Sequence, residues 1–224
     1  MEGGSVKGVP ETESISQDRM LEFDLAAELA HGIAVSNLAY AVAQEYGLPE
    51  EQCYELSIAG VLHDIGKLKL RSYINGQEKD PLVIEELKYV RMHSTLGYEE
   101  LKGQGYSEFI LESILYHHEN YDGTGYPSNK SGTEIPVGAR ILRVCDVFCA
   151  LNSDRPYRKA FSRKNVVGLM IDEVKNFDIE IFLAFLRVIH KEENNAVKEK
   201  TGYRNEGYSA KGDGNPKLCN QSHS

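Results

Sequence analysis

Apolar residues in this chain recur every three or four positions over long stretches, and no segment shows clean two-residue alternation. That period gathers apolar side chains on one helix face, so the chain is expected to be all-α. The first helix is marked by Leu21, Leu25, Leu29, Ile33, Leu38 and Val42. It runs from near Asp18 to Tyr46, where Gly47 and Pro49 stop it. Pro49-Glu50-Glu51 opens the second, because proline suits a first helical turn and carboxylates there suit the helix dipole. It continues through Leu56, Ile58, Ala59, Val61 and Leu62, with apolar residues on every side, which predicts a buried helix. A polar, irregular stretch follows from Leu68 to Lys79. Asp80-Pro81 then reads as the start of a helix carrying Leu82, Ile84, Leu87 and Val90. This helix breaks or bends near His93, and the pattern continues through Leu96, Tyr98 and Leu101 to Gly103 and Gly105. Another starts around Ser107, carries Phe109, Ile110, Ile114 and Leu115, and finishes on His117-His118-Glu119. Ile135-Pro136 opens a helix that is apolar nearly all round, with Asp146 as an isolated acid in its middle. Two more are expected over 163–175 and 179–192, with Asp178 as N-cap of the last.

Residues 1–16 and 193–224 are polar and without periodicity, and are expected to be disordered tails on one domain spanning 17–192. A chain of 224 residues is long enough to bury a core of ordinary size. The net charge of −9 argues against a nucleic-acid polymer or a membrane surface as partner. No apolar run of spanning length and no secretory leader is read from the sequence. The four cysteines form no CxxC pair, and Cys145 and Cys149, one turn apart, read as core packing. A reduced, cytoplasmic protein is expected; the oligomeric state is left open.

The chemistry concentrates on His63-Asp64-Ile65-Gly66-Lys67, at the end of an apolar run. Imidazole and carboxylate side by side can ligate a divalent ion. Gly66 would let the backbone pass close to a substrate, and Lys67 supplies a point charge suited to phosphate. A buried, ionised Asp64 needs a partner or a metal, although it could equally cap the following turn. Asp146 poses the same question. His31, among alanines, reads by itself as a satisfied histidine. His117 and His118 are ~100° apart on a helix and cannot share one direction unless the helix ends there; an exposed pair suiting a helix C-terminus is the other reading. Asp122-Gly123 and Gly125-Tyr126-Pro127 are turn chemistry beside that pair. The run from Asp154 to Lys159 carries three cations, either a solvated surface or a phosphate contact. Five histidines, with Asp64 and Asp146, make seven nitrogen and oxygen ligands on five helical stretches. That number suits two metals with open positions. The absence of thiolate favours Fe, Mn, Ni or Zn over a closed structural zinc. Two ions about 4 Å apart form a clamp for in-line displacement at phosphorus.

These motifs taken together resemble the HD-GYP family, a branch of the HD-domain metal-dependent phosphohydrolases that hydrolyse cyclic di-GMP. The likeness runs from about His31 to Phe185. It covers His63-Asp64-Ile65-Gly66-Lys67, His93 with Gly97, His117-His118-Glu119 with Asp122-Gly123 and Gly125-Tyr126-Pro127, Ile135-Pro136 with Ala139-Arg140-Ile141, and Ser153-Asp154-Arg155-Pro156-Tyr157-Arg158. The resemblance implies an HD-domain helical bundle with a buried metal centre. His31, His63, Asp64, His93, His117, His118 and Asp146 would hold two divalent ions, with Fe and Mn favoured and Asp64 bridging. Lys67 would contact the scissile phosphate or help the leaving oxygen. Arg155 and Arg158 would hold phosphate or guanine edges. Gly125, Tyr126 and Pro127 would shape the substrate pocket and meet partner GGDEF domains. The implied reaction is hydrolysis of cyclic di-GMP to linear pGpG, and onward to GMP, with water activated between the ions. Its rivals are a different cyclic dinucleotide or nucleotide as substrate, and a cyclic di-GMP receptor without turnover.

The chain departs from the family in two places. Some members hold a third metal with a glutamate one turn before the first histidine. Ala27 stands there, and Glu28, one residue off, is expected to project to the other side of His31. Lys69 and Arg71 stand where glycine and proline are frequent, and are expected to be solvated.

Overall fold

The structure, a computed structural model, describes residues 25–69, 90–154 and 159–201, and every regular element among them is helical. The long helices are α1 (Leu25–Tyr46), α2 (Glu50–Leu62), α3 (His93–Leu101), α4 (Glu108–Leu115), α5 (Val137–Leu151), α6 (Arg163–Asp172) and α7 (Ile179–Thr201). Single 3-10 turns occupy Gly132–Glu134 and Val174–Asn176. The chain divides into a unit through Val188 and a second from Ile189 onward. Everything below concerns the first.

Local chemistry sets the helix ends. The Ser107 hydroxyl accepts the Ile110 amide at 3.3 Å and starts α4. Ser162 does the same for α6 through Asn165. Asp178 accepts the Glu180 amide at 2.9 Å and caps α7 as expected. The break or bend expected near His93 is a break: residues 90 and 91 are helical, Met92 is a turn, and α3 begins on His93.

Helix α5 is the central element. Its residues Ala139, Ile141, Leu142, Val144, Cys145, Phe148 and Cys149 are buried, and it packs against α1, α2, α4 and α6. Phe148 meets Phe185 edge-on at 5.0 Å, and Phe185 stacks near Phe182. Cys53, Cys145 and Cys149 are buried free thiols, which fits packing; Cys219 lies outside the described residues. Burial pushes the Cys145 thiol well up, so it stays protonated.

Several expectations change. Helix α2 is not buried all round, because Tyr54, Ile58 and Val61 face outward and only Cys53, Leu56, Ala59 and Gly60 are enclosed. In α1 the inward stripe is Val35, Leu38, Ala39, Val42 and Ala43, while Leu25, Leu29 and Ile33 are exposed. Apolar periodicity reports a face, and the neighbours decide which face is covered. By length and composition α1 is also apolar enough to cross a bilayer, contrary to the sequence reading; its inward stripe packs most extensively on α2. The helix expected to end at Lys175 stops at Asp172, and the last helix continues past Glu192 to Thr201. The expected N-terminal tail and the sequence beyond Thr201 lie outside the described residues.

Candidate metal centre

Five helical segments converge on one buried point. Helix α1 supplies His31. The turn after α2 supplies His63 and Asp64. The first residue of α3 is His93, His117 and His118 follow α4, and α5 supplies Asp146. The consecutive pair works because α4 stops at Leu115. Past that end the rings no longer keep helical spacing, and their centroids come within 4.0 Å.

These side chains form two clusters able to hold metal ions, His31–His63–Asp64 and His93–His117–His118. Asp64 faces both: Oδ2 lies 3.2 Å from His63 Nε2, and Oδ1 lies 3.3 Å from His93 Nε2. Asp146 Oδ1 lies 3.0 Å from His31 Nε2 and 3.7 Å from His63 Nε2. In the second cluster His93 Nε2 lies 3.2 Å from His117 Nε2 and 3.0 Å from His118 Nε2.

Donor chemistry tests whether this arrangement suits a metal. His63 Nδ1 donates to Gly60 O at 2.8 Å, His93 Nδ1 to Val90 O at 2.5 Å, and His117 Nδ1 to Ile114 O at 2.6 Å. In His93 and His117 the carbonyl three residues back therefore fixes the tautomer and leaves Nε2 as a lone pair, whereas His63 Nε2 faces the carboxylates of Asp64 and Asp146. Those lone pairs point at one another. His63 Nε2 and His31 Nδ1 are buried with no hydrogen-bond partner. A cation among the Nε2 atoms resolves this conflict, so the residues present fit the group.

The electrostatics run the same way. Burial raises the cost of charge on Asp64 and Asp146, but a protonated His63 with Lys67 holds the Asp64 carboxyl well below the usual range, and hydrogen bonds from His31 and His63 do the same for Asp146. Burial and neighbouring imidazoles hold His117 low, and burial brings His118 down to about 3. The acids stay ionised and His117 and His118 stay neutral, the forms that ligate, while despite burial Asp64 and Asp146 hold the His63 pKa well up, so a metal binding there would displace its proton.

Around the centre, Lys67 Nζ lies 2.6 Å from Asp64 Oδ2 and 3.2 Å from Glu28 Oε2. Glu28 therefore faces the site through Lys67 and does not project to the far side of His31. Glu28 lies three residues before His31, close enough on a helix to share its face. Gly66 turns toward protein, not toward a substrate as expected: a Cβ there would sit 2.0 Å from the His93 carbonyl oxygen. The glycine lets the turn after α2 close on the start of α3, where Asp64 meets His93. Lys69 pairs with Glu100; Arg71 lies outside the described residues, as do Arg155 and Arg158.

The loop after His118 folds back over it. Tyr126 N donates to His118 O at 3.2 Å, and the two rings stack at 4.7 Å. Gly125 is buried, and a Cβ on it would meet the backbone of Asn120 at 2.2 Å, so it packs the loop down. Pro127 is exposed beside it. Sequence reasoning gave two residues here no role. Glu119 is buried, and its Oε1 accepts the Ser128 amide at 2.7 Å, tying the loop to the histidine pair. Arg143 sits one turn before Asp146 on α5, and its Nε donates to Asn120 at 3.1 Å. Its signal was a cation three residues from an acid in the middle of a largely apolar helix.

With this geometry in view, the HD-domain family matches residues 15–181, and the chain belongs to that family. A cyclic di-GMP phosphodiesterase of Pseudomonas aeruginosa is 36% identical over 163 residues, covering 71% of this chain and 38% of the relative. A 3′3′-cGAMP-specific phosphodiesterase of Vibrio cholerae is 32% identical over 186 residues, covering 80% of this chain and 42% of the relative. Among solved structures, an HDG"Y"P protein from Bdellovibrio bacteriovorus superposes with a TM-score of 0.58 at 20% identity, covering 73% of this chain and 52% of the other. Its likeness is one of fold. Within the HD-domain family the chain is of the HD-GYP type. It spans about two fifths of the length of the curated relatives it matches. HD-domain phosphohydrolases are metal-dependent, and the two clusters are the groups here that can hold metal.

Proposed function

We propose that this chain is a metal-dependent phosphodiesterase that hydrolyses cyclic di-GMP to linear pGpG. The observation that carries the reading is the placement of Asp64 between two histidine clusters, with one carboxylate oxygen toward each. His31, His63, Asp64 and Asp146 would hold one ion, and Asp64, His93, His117 and His118 the other; Fe and Mn suit this nitrogen and oxygen set. Two such ions activate water and neutralise charge building on phosphoryl oxygens.

The chain's own residues supply the rest. Lys67 keeps its proton: burial works against the charge, but Asp64 and Glu28 overcome it. An ammonium beside Asp64 would bind a phosphate oxygen or support the departing 3′ oxygen. Tyr126 also stays protonated, because burial pushes its phenol up. Stacked on His118, it closes one side of the site and offers a neutral hydroxyl. Arg155 and Arg158 are proposed as further substrate contacts on the resemblance alone.

The test is hydrolysis of cyclic di-GMP by protein purified without oxygen, with metal content measured on the same sample. The 3′3′-cGAMP isomer is assayed beside it, because one relative is named for that substrate. Cleavage that follows about two ions per chain and is lost in Asp64→Ala supports the reading. Full occupancy with tight binding and no turnover makes the chain a receptor. Preference for 3′3′-cGAMP replaces the substrate and keeps the chemistry.

A further inference from the structure

Arg143 is a mostly buried guanidinium beside a centre built to receive cations. It lies on α5 three residues before Asp146, and its Nε is held by Asn120, two residues after His118. Among the described residues Asn120 is its one hydrogen-bond partner, so the Nη groups keep their donors. Burial presses its pKa down, and the Asp146 carboxylate presses it back up. It stays charged.

A fixed cation next to two divalent ions weakens their binding by like-charge repulsion. Asp146 offsets part of that, but it also serves the metal cluster. An anion arriving at the ions removes the conflict. Asn120 orients the guanidinium from its Nε side, which leaves the Nη edge available for the bidentate geometry that arginine makes with phosphate. A second arginine, Arg91, lies 5.4 Å from the ring of Tyr126, so cations stand at both Tyr126 and Asp146. Neither arginine entered the sequence reading.

We propose that Arg143 is a substrate-binding residue whose Nη edge takes a phosphate of the nucleotide at the metal centre. The proposal rests on the phosphodiesterase reading for the identity of the nucleotide, and on the geometry alone for the phosphate. A purely structural role, with Arg143 holding Asn120 and the loop, is the competing explanation.

The experiment compares metal-loaded wild type, Arg143→Met and Arg143→Lys. Dissociation constants for inorganic phosphate and for pGpG are measured by titration calorimetry, with metal content and Tm on the same samples. The expected result is weakening of both ligands in Arg143→Met by roughly tenfold to a hundredfold. Two ions per chain are retained, and Arg143→Lys recovers part of the affinity. Unchanged dissociation constants overturn the proposal, whatever happens to Tm. So does loss of metal without a change in affinity per loaded site, and so does a wild type that binds neither ligand. If wild type binds phosphate but neither binds pGpG nor cleaves cyclic di-GMP, the nucleotide reading fails, and the phosphate constants still decide the role of Arg143.

Discussion

His93 Nε2 and His117 Nε2 face each other across 3.2 Å, although both rings have already committed Nδ1 to backbone carbonyls. Neither imidazole has a proton for the other in that tautomer. Metal binding relieves this contact, so folding and metal loading should be coupled. A site saturated at a thousand times its Kd adds about 4 kcal/mol. The chelated protein is therefore expected to melt roughly 10 °C below the loaded form. Differential scanning calorimetry with and without metal measures this. Equal melting temperatures would mean that the lone pairs are satisfied some other way.

Lys67 is clasped between Asp64 at 2.6 Å and Glu28 at 3.2 Å. Lys67→Met should lower kcat about a hundredfold with both ions retained, the usual scale for losing one stabilising group at a transition state. Glu28→Gln should be far milder, because Asp64 still holds the ammonium. Steady-state kinetics with metal analysis tests the pair. If Lys67→Met loses metal instead, its role is to balance the charge of Asp64.

Arg140 Nη1 meets Asp178 Oδ2 at 2.5 Å with little exposure on either side, and Asp178 caps α7. Arg140→Met leaves the Asp178 charge poorly paired and should cost about 3–5 kcal/mol of stability. The seven metal-facing residues are untouched, so folded protein should still load metal. Urea unfolding of Arg140→Met, Asp178→Asn and the double variant gives the coupling. Full additivity would show that the two side chains act independently.

Asp122 accepts both the Thr124 amide at 3.0 Å and the Thr124 hydroxyl at 2.6 Å. These bonds hold its carboxyl below the usual value of 3.8. A folded pKa below the unfolded one adds stability above the unfolded value and loses it as pH falls through the folded one. The stability gap between wild type and Asp122→Ala should therefore be present above about pH 4 and close at lower pH. Because the side chain is exposed, the gap is expected to be small. A gap that persists undiminished at pH 2 would assign it to backbone conformation.

The sequence by itself determined the helices, most of their ends, and the residue types of the site. Helical period is a local property, and so are the Ser107 and Asp178 caps. The ordered motifs were enough to show the family, because ligand types at set positions are written in the chain. Tertiary structure decided what those residues do to each other. It brought His117 and His118 together by ending α4 at Leu115, before the His117-His118-Glu119 run on which the helix was expected to finish. It turned Gly66 onto the His93 carbonyl and put Glu28 on Lys67. It also left Leu25, Leu29 and Ile33 exposed, although their spacing matches that of buried residues. Arg143 is the plainest case. In the sequence it is one of two cations on a largely apolar helix, and only the packing of α5 beside the loop after α4 gives it Asn120, Tyr126 and Asp146 as neighbours. Period and composition describe single segments, whereas charge, burial and ligation depend on distances between segments, which the packed fold alone sets.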